Sequence, residues 1–304
     1  MAVSPTTTPT GPEGFTLRAT GPVARRQLYS RLSFWVLLAA TLSGLGVLAF
    51  LLIDVMNLGL ARVFHEFPAF FTSYASRRMA DAGIRAALLG SFWIIGLVVL
   101  FTIPVGVGTA VFMEEFAPRN RFLSIVRLNI SNLAGVPSII YGILGLALFA
   151  RTLGFGATIL TGALTLSLMI LPIVIIASAE AIRQVPPSIR DGALALGATR
   201  WQAVQYHILP GSIPGIMTGI ILAVSRAAGE TAALIMIGAF AFISFDPTSW
   251  NDRFTILPIQ IYDWTLRPGT SFKTEAAAAI IVLLTFVIVL NLTAAIIRQR
   301  FRRD

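Results

Sequence analysis

Two residues of opposite charge stand four positions apart inside an apolar stretch, in LAVSRAAGETAAL at 222–234. Read as one helix, the apolar run covers about 213–240. Arg226 then lies roughly 20 Å from Ser212 at ~1.5 Å per residue, near the centre of a bilayer. An arginine at that depth costs about 2.5–3.5 kcal/mol on insertion scales, so it must face a bundle interior or a wet cavity. Glu230 follows one helical turn later and would share the same face, partly neutralising Arg226. One reading is a structural ion pair that fixes helix packing. The other is an anion site, because a guanidinium offers a fork of N–H donors that matches phosphate or sulfate oxygens. Under that reading the nearby carboxylate keeps the anion from being held too tightly, and the hydroxyls of Ser225 and Thr231 add donors.

A polar segment at 180–210 precedes this stretch and carries turn chemistry of its own. Pro186 and Pro187 suit the first turn of a helix. Ile189, Ala193 and Leu196 follow at helical spacing. Gly197 stands where a glycine stops a helix. Thr199 and Gln202 form a T-x-x-Q capping box for a second helix carrying Trp201, Val204 and Ile208. The sequence predicts helix, glycine turn, helix. On pattern alone, an ordinary hairpin between spans is the competing reading. His207 reads as a packing residue, since no other ligand type clusters with it.

Other chemistries are absent. The chain has 304 residues and no cysteine, which removes disulfides, thiolate ligands and cysteine nucleophiles. His65 and His207 are its two histidines, and neither belongs to a metal-binding spacing. Its one lysine, Lys273, follows Phe272, so no Walker A motif occurs and any ATPase must be another chain. The net charge of +9 is spread over many loops, which argues against nucleic-acid binding.

The elements that position these residues are membrane spans. The chain is 56% hydrophobic and 12% charged, against about 25% charged for soluble domains. Apolar runs of about twenty residues or more predict an all-α polytopic membrane protein with six transmembrane helices at about 32–58, 84–112, 132–153, 157–179, 213–240 and 275–297. Residues 1–30, rich in Pro, Thr and Gly, read as a disordered cytoplasmic tail ahead of a 31–304 permease domain. Pro104 and Pro172 fall inside spans, and Pro104 is expected to kink its helix. The basic segment after 113 reads as an amphipathic surface helix. Asn129, Ser131 and Asn132 are equally readable as pore-lining residues or caps. With the N-terminus inside, 14 of the 23 basic residues fall on inner segments, 8 on outer ones, and Arg226 in the membrane. The bias favours both termini in the cytoplasm, with the 180–210 loop beside them.

The loop resembles the EAA loop of ABC importer permeases: E-A-A, three residues, G, nine residues, I-x-L-P. Here Asp191, Gly192 and Ala193 precede Gly197, and Ile208, Leu209 and Pro210 close the pattern. Asp191 replaces the glutamate, Gly192 an alanine, and His207 stands at a usually apolar position. In that family the loop docks in a groove of the ATPase, which by resemblance assigns the contact to 189–201, including Ile189, Asp191, Gly192, Ala193, Leu196, Gly197, Thr199 and Trp201. NLAGVPSIIYGILGLALF at 132–149, ALALGATRWQAV at 193–204, LAVSRAAGETAAL at 222–234 and DAGIRAALLGS at 81–91 resemble the PstA-type permease family of the bacterial phosphate importer. The resemblance covers most of 81–240.

It implies a type I, MetI-like permease fold in the bacterial inner membrane. It implies a PstC-like homologous permease as heterodimer partner, a PstB-like ATPase dimer that binds ATP and Mg, and a PstS-like phosphate-binding protein. This chain itself holds no cofactor. Arg226 and Glu230 are the residues that the resemblance associates with phosphate passage, by alternating access. Outer loops 59–83 and 242–273 are the candidate contacts for the binding protein. The alternatives are a permease for sulfate or molybdate, a non-transporting membrane scaffold, and an intramembrane hydrolase, for which no nucleophile–base pair is in view.

Overall fold

The first long apolar run becomes α1 (Pro22–His65), a helix of 44 residues. The computed structural model describes residues 22–240, 242–268 and 271–301. Residues 22–30, assigned above to the tail, therefore form the start of α1, and the rest of that tail lies outside the described residues. The chain divides into two units, 1–53 and 54–304. In the first, the apolar side chains of α1, such as Leu37, Phe50 and Ile53, are exposed.

The second unit begins with the end of α1, the short α2 (Ala69–Thr72) and a 3₁₀ turn at Met79–Asp81. Then come α3 (Arg85–Val111), a π-turn at Phe112–Phe116, α4 (Arg121–Ala134) and α5 (Ser138–Gly145), continued by a π-turn at Leu146–Thr152. α6 (Ile159–Arg183) leads into α7 (Pro187–Ala195), α8 (Arg200–Ala203), a π-turn at Val204–Ile208 and α9 (Leu209–Ala228). The chain ends with α10 (Ala232–Ile237), α11 (Leu257–Leu266) and α12 (Ser271–Phe301).

α3, α6 and α9 pack against one another at the centre, and α12 lies against α9 and α11. Val98, Ile170 and Ala223 are fully buried between them. Small residues set the spacing, as expected where helix packing in a bilayer relies on close contact. A Cβ on Gly219 of α9 would stand 2.3 Å from that of Ala177 on α6. α3 runs through Pro104 as one element from Arg85 to Val111.

Among the described residues five helices are long and apolar enough to cross a membrane, and a bent pair, Arg121–Ala134 with Ser138–Thr152, makes up to six. The expected third span at 132–153 is the second arm of that pair. α4 and α5 meet at 101°, because Pro137 at the N-cap of α5 holds an extended backbone (ψ 139°) that cannot continue α4. The arm contains 8 and 7 residues, about 22 Å at the helical rise, shorter than a ~30 Å hydrocarbon core. α4 and this arm together take the chain from one end of the second unit to the other. The preceding π-turn contacts the Arg183 end of α6 through Glu114, whereas the following segment leads to Ile159 at the opposite end.

Candidate functional site

The expected fifth span is also broken. α9 stops at Ala228, Gly229 is its C-cap, and α10 starts at Ala232. Arg226 therefore lies in the last turn of one helix and Glu230 in the gap before the next. The expectation that they share a helical face as a pair is corrected. Glu230 Oε1 instead accepts the backbone N–H groups of Ala232 (3.1 Å) and Ala233 (3.4 Å), capping α10. Each charge thus sits at the helix end whose partial charge suits it, a cation near carbonyls and a carboxylate near N–H groups.

That arrangement leaves the guanidinium available. Among the described residues Arg226 makes no hydrogen bond and no ion pair, and its side chain is exposed. Its electrostatic neighbour is Tyr141 on α5. Tyr141 is 4% exposed, and its hydroxyl donates to Leu133 O (2.8 Å) across the α4–α5 bend. The next residue, Gly142, packs on α10 so closely that a Cβ there would stand 2.5 Å from Ala233 O. The two broken crossings therefore meet side by side. Non-helical backbone at membrane depth is tolerated where it is buried in protein or lines a water-filled cavity, and discontinuous helices with charged ends are how transporters build substrate sites.

Ser225 does not join this group. Its hydroxyl is engaged by Ile221 O (2.7 Å) and by Asn291 Oδ1 of α12 (2.5 Å), so it serves helix packing. Thr231 is the half-buried N-cap of α10 and makes no side-chain capping bond. Asn129 donates to Ile125 O within its own helix. Sequence reading missed Tyr141 and Gly142. The signal for them was present as S-I-I-Y-G following a Val-Pro pair, but only the α4–α5 bend gives it meaning.

The 180–210 loop forms as its local chemistry dictates. α7 ends at Ala195 with Leu196 as its C-cap, Gly197 takes φ +86°, and Thr199 caps α8. In the capping box, Gln202 N donates to Thr199 Oγ1 (3.3 Å) and Thr199 N to Gln202 Oε1 (2.8 Å). Leu196 is 91% exposed and Trp201 59%, with Ile189 also exposed, an apolar set unusual for a polar turn. Ala193 differs: it is buried and holds the loop from beneath. Asp191 and Gly192 are exposed.

Charged residues brace this loop against the bundle. Arg190 of α7 pairs with Glu115. Glu114 meets Arg127 of α4 at 3.2 Å and Arg183 of α6 at 3.4 Å. The rings of Phe116 and Trp201 lie 6.3 Å apart. At the opposite end, Arg62 of α1 and Glu275 of α12 form a buried pair (Nε–Oε2 3.0 Å). Arg85 there grips Asp246 with two donors, one at 2.7 Å.

The description "binding-protein-dependent transport system inner membrane component" matches residues 102–303. The chain is 40% identical over 193 residues to a probable ABC transporter permease, YqgI of Bacillus subtilis, covering 64% of this chain and 66% of that protein. It is 33% identical to the phosphate transport system permease PstA 1 of Mycobacterium tuberculosis over 71% of this chain and 70% of that one. It is 30% identical to PstA of Haemophilus influenzae over 88% and 93%. Among solved structures, a bacterial alginate ABC transporter in complex with its alginate-bound periplasmic protein superposes with a TM-score of 0.65 at 18% identity, over 91% of this chain and 96% of that one. An inward-facing methionine ABC transporter, MetNI, gives 0.55 at 17% identity, over 72% and 94%. These two show the fold.

Proposed function

The chain belongs to the family of binding-protein-dependent transport system inner membrane components, and we propose that it is the phosphate-conducting permease subunit of an ATP-driven importer. One observation carries the reading most: Arg226, whose guanidinium makes no hydrogen bond or ion pair among the described residues, lies at a helix end beside a second broken helix. An inorganic phosphate offers the oxygens that such a fork binds. Glu230, retained on α10 by backbone N–H groups, stays near enough to limit how tightly the anion is held.

A homologous permease faces this chain across the path, and a phosphate-binding protein delivers the anion at the Arg62–Glu275 end. The termini lie in the cytoplasm, as the arginine bias favours. Leu196, Trp201 and Ile189 then present an apolar surface to a separate ATPase dimer, which holds ATP and Mg. ATP binding moves the loop, the spans tilt, and the site opens alternately to each side. The permease is not itself an enzyme.

The test is uptake of radiolabelled phosphate into proteoliposomes holding the complete complex. Arg226→Gln is expected to lower uptake at least ~100-fold, in line with loss of a charge-assisted bidentate contact of about 3 kcal/mol. The assembled complex should remain intact. Uptake within twofold of the unaltered complex would overturn the assignment. Stimulation of ATP hydrolysis by sulfate or molybdate instead of phosphate would favour another oxyanion.

A further inference from the structure

Two adjacent carboxylates, Glu114 and Glu115, are the least expected charges in the bundle. They lie on the π-turn that ends α3, a local widening of the helix often found at functional sites. Their side chains are 8% and 4% exposed. Buried carboxylates persist only where they are paired, and removing one partner leaves an uncompensated charge. The pairs here join four separate elements. Glu115 holds Arg190 on α7 across 75 positions of sequence. Glu114 holds Arg183 at the end of α6 and Arg127 on α4 together, and Arg127 also donates to Met113 O (3.2 Å). Phe116, next in the same turn, faces Trp201.

The consequences for motion are specific. The chain joins α7 to α6 through 184–186 and to α9 through α8. The Glu115–Arg190 pair adds a side-chain attachment to the end of α3, which the backbone does not provide. Glu114 extends that attachment to α4, which ends at the α4–α5 bend, and Tyr141 bridges that bend beside Arg226. A displacement of α7 is then carried to the anion site through charged contacts as well as through the loop backbone.

We propose that Glu114 and Glu115 are positioning residues for transport: they lock α7 to the ends of α3, α4 and α6, so that movement of the loop becomes movement of the helices around Arg226. The proposal rests on the permease reading above. It predicts that weakening the lock separates ATP hydrolysis from transport without taking the complex apart.

The experiment measures phosphate moved per ATP hydrolysed by the reconstituted complex with its binding protein. Glu115→Gln is expected to lower that ratio about tenfold while hydrolysis continues, and Arg190→Gln to do the same. The double variant is expected to be no worse than the poorer single one, since contacting residues that act as a unit are non-additive. Arg190→Lys keeps the charge without the fork and should fall between, with the complex assembled even if the neutral variants were not. An unchanged ratio in Glu115→Gln, additive losses in the double variant, or an Arg190→Lys complex indistinguishable from the unaltered one when the neutral variants fail to assemble would each overturn the lock. A complex with unaltered residues that moves no phosphate would instead overturn the permease reading, which separates the two failures.

Discussion

Two glycine turns, at Gly197 in the polar loop and at Gly229 between α9 and α10, are built by different means. Gly197 has φ +86°, a left-handed conformation that other residues adopt only with strain. Its N–H reaches Leu194 O (3.0 Å), and the N–H of Ala198 reaches Ala193 O (3.1 Å), satisfying the end of α7 locally. Thr199 and Gln202 then start α8 with their own side chains. Gly229 has φ −94°, within reach of any residue, and a Cβ there would meet nothing closer than Arg226 O at 4.0 Å. Thr231, the N-cap of α10, contributes no side-chain bond. The second turn is held by Glu230 and by the packing of α10 on α5. The first turn is thus written entirely in its own residues, whereas the second adds to its local cap the packing of a neighbouring helix.

The sharpest way to break that contrast is to disturb the neighbour. Gly142→Val places side-chain carbons where Ala233 O and Cα stand 2.5 and 2.8 Å from an ideal Cβ. Backbone atoms cannot rotate aside, so α5 and α10 must separate, at an overpacking cost of about 1–3 kcal/mol or more. Phosphate uptake should fall more than ~30-fold, as the two broken crossings lose register around Arg226. ATPase binding through the distant loop should survive. Uptake retained in a fully assembled Gly142→Val complex would mean that the second turn holds itself.

The same distinction explains what could be read from sequence. Four of the expected spans, now within α1, α3, α6 and α12, and the α7–Gly197–α8 turn with its capping box depend on periodicity and caps and form as expected, whereas the third and fifth spans are broken. Arg226 was identifiable from its cost as a charge inside an apolar run. Its separation from Glu230 was not, because R-A-A-G-E fits an uninterrupted helix with an i,i+4 pair. Only the packing of Gly142 on Ala233 and the capping of Ala232 by Glu230 show why α9 ends where it does. Likewise V-P-S gave a proline but no angle, and the 101° bend is set by the extended backbone at Pro137 between α4 and α5. Glu114 and Glu115 looked like interfacial charges, since their partners are as distant in sequence as Arg190.

A smaller effect sharpens the other side of the contrast. Gly197→Ala adds a Cβ with open space around it, so the cost is conformational, about 1–2 kcal/mol for a left-handed residue. The loop should loosen while the spans stay intact. Binding of the ATPase, measured by titration in detergent, should weaken about tenfold. If a variant with alanine at 197 bound the ATPase as tightly as the unaltered chain, the turn would be shaped by its surroundings, as the Gly229 turn is.

The mildest test concerns the loop that follows α10, where both kinds of construction occur within seven residues. Asp252 accepts the N–H groups of Thr248 and Ser249, each at 2.8 Å, and makes a local turn. Asp246 is held from a distance by Arg85, with Tyr74 donating to it at 3.1 Å. Hydrogen bonds from Arg85 chiefly hold the Asp246 carboxyl below its ordinary value, and the backbone N–H groups of Thr248 and Ser249 do the same for Asp252. A carboxylate with a depressed folded pKa stabilises the structure above its unfolded pKa of about 3.9 and loses that contribution as pH falls through the lower, folded value. Near neutrality the loop should therefore be insensitive to pH, and below about pH 4 it should come away from α3. Because the chain has no cysteine, a spin label on Ser244→Cys would be unique and would report this directly. Its mobility should rise on acidification in the otherwise unaltered chain. With Asp246→Asn it should be mobile already at pH 7 and show little further change. With Asp252→Asn it should stay immobile at pH 7, since the long-range clamp is intact. An acid response surviving Asp246→Asn would place the clamp in the local turn and remove the distinction between the two.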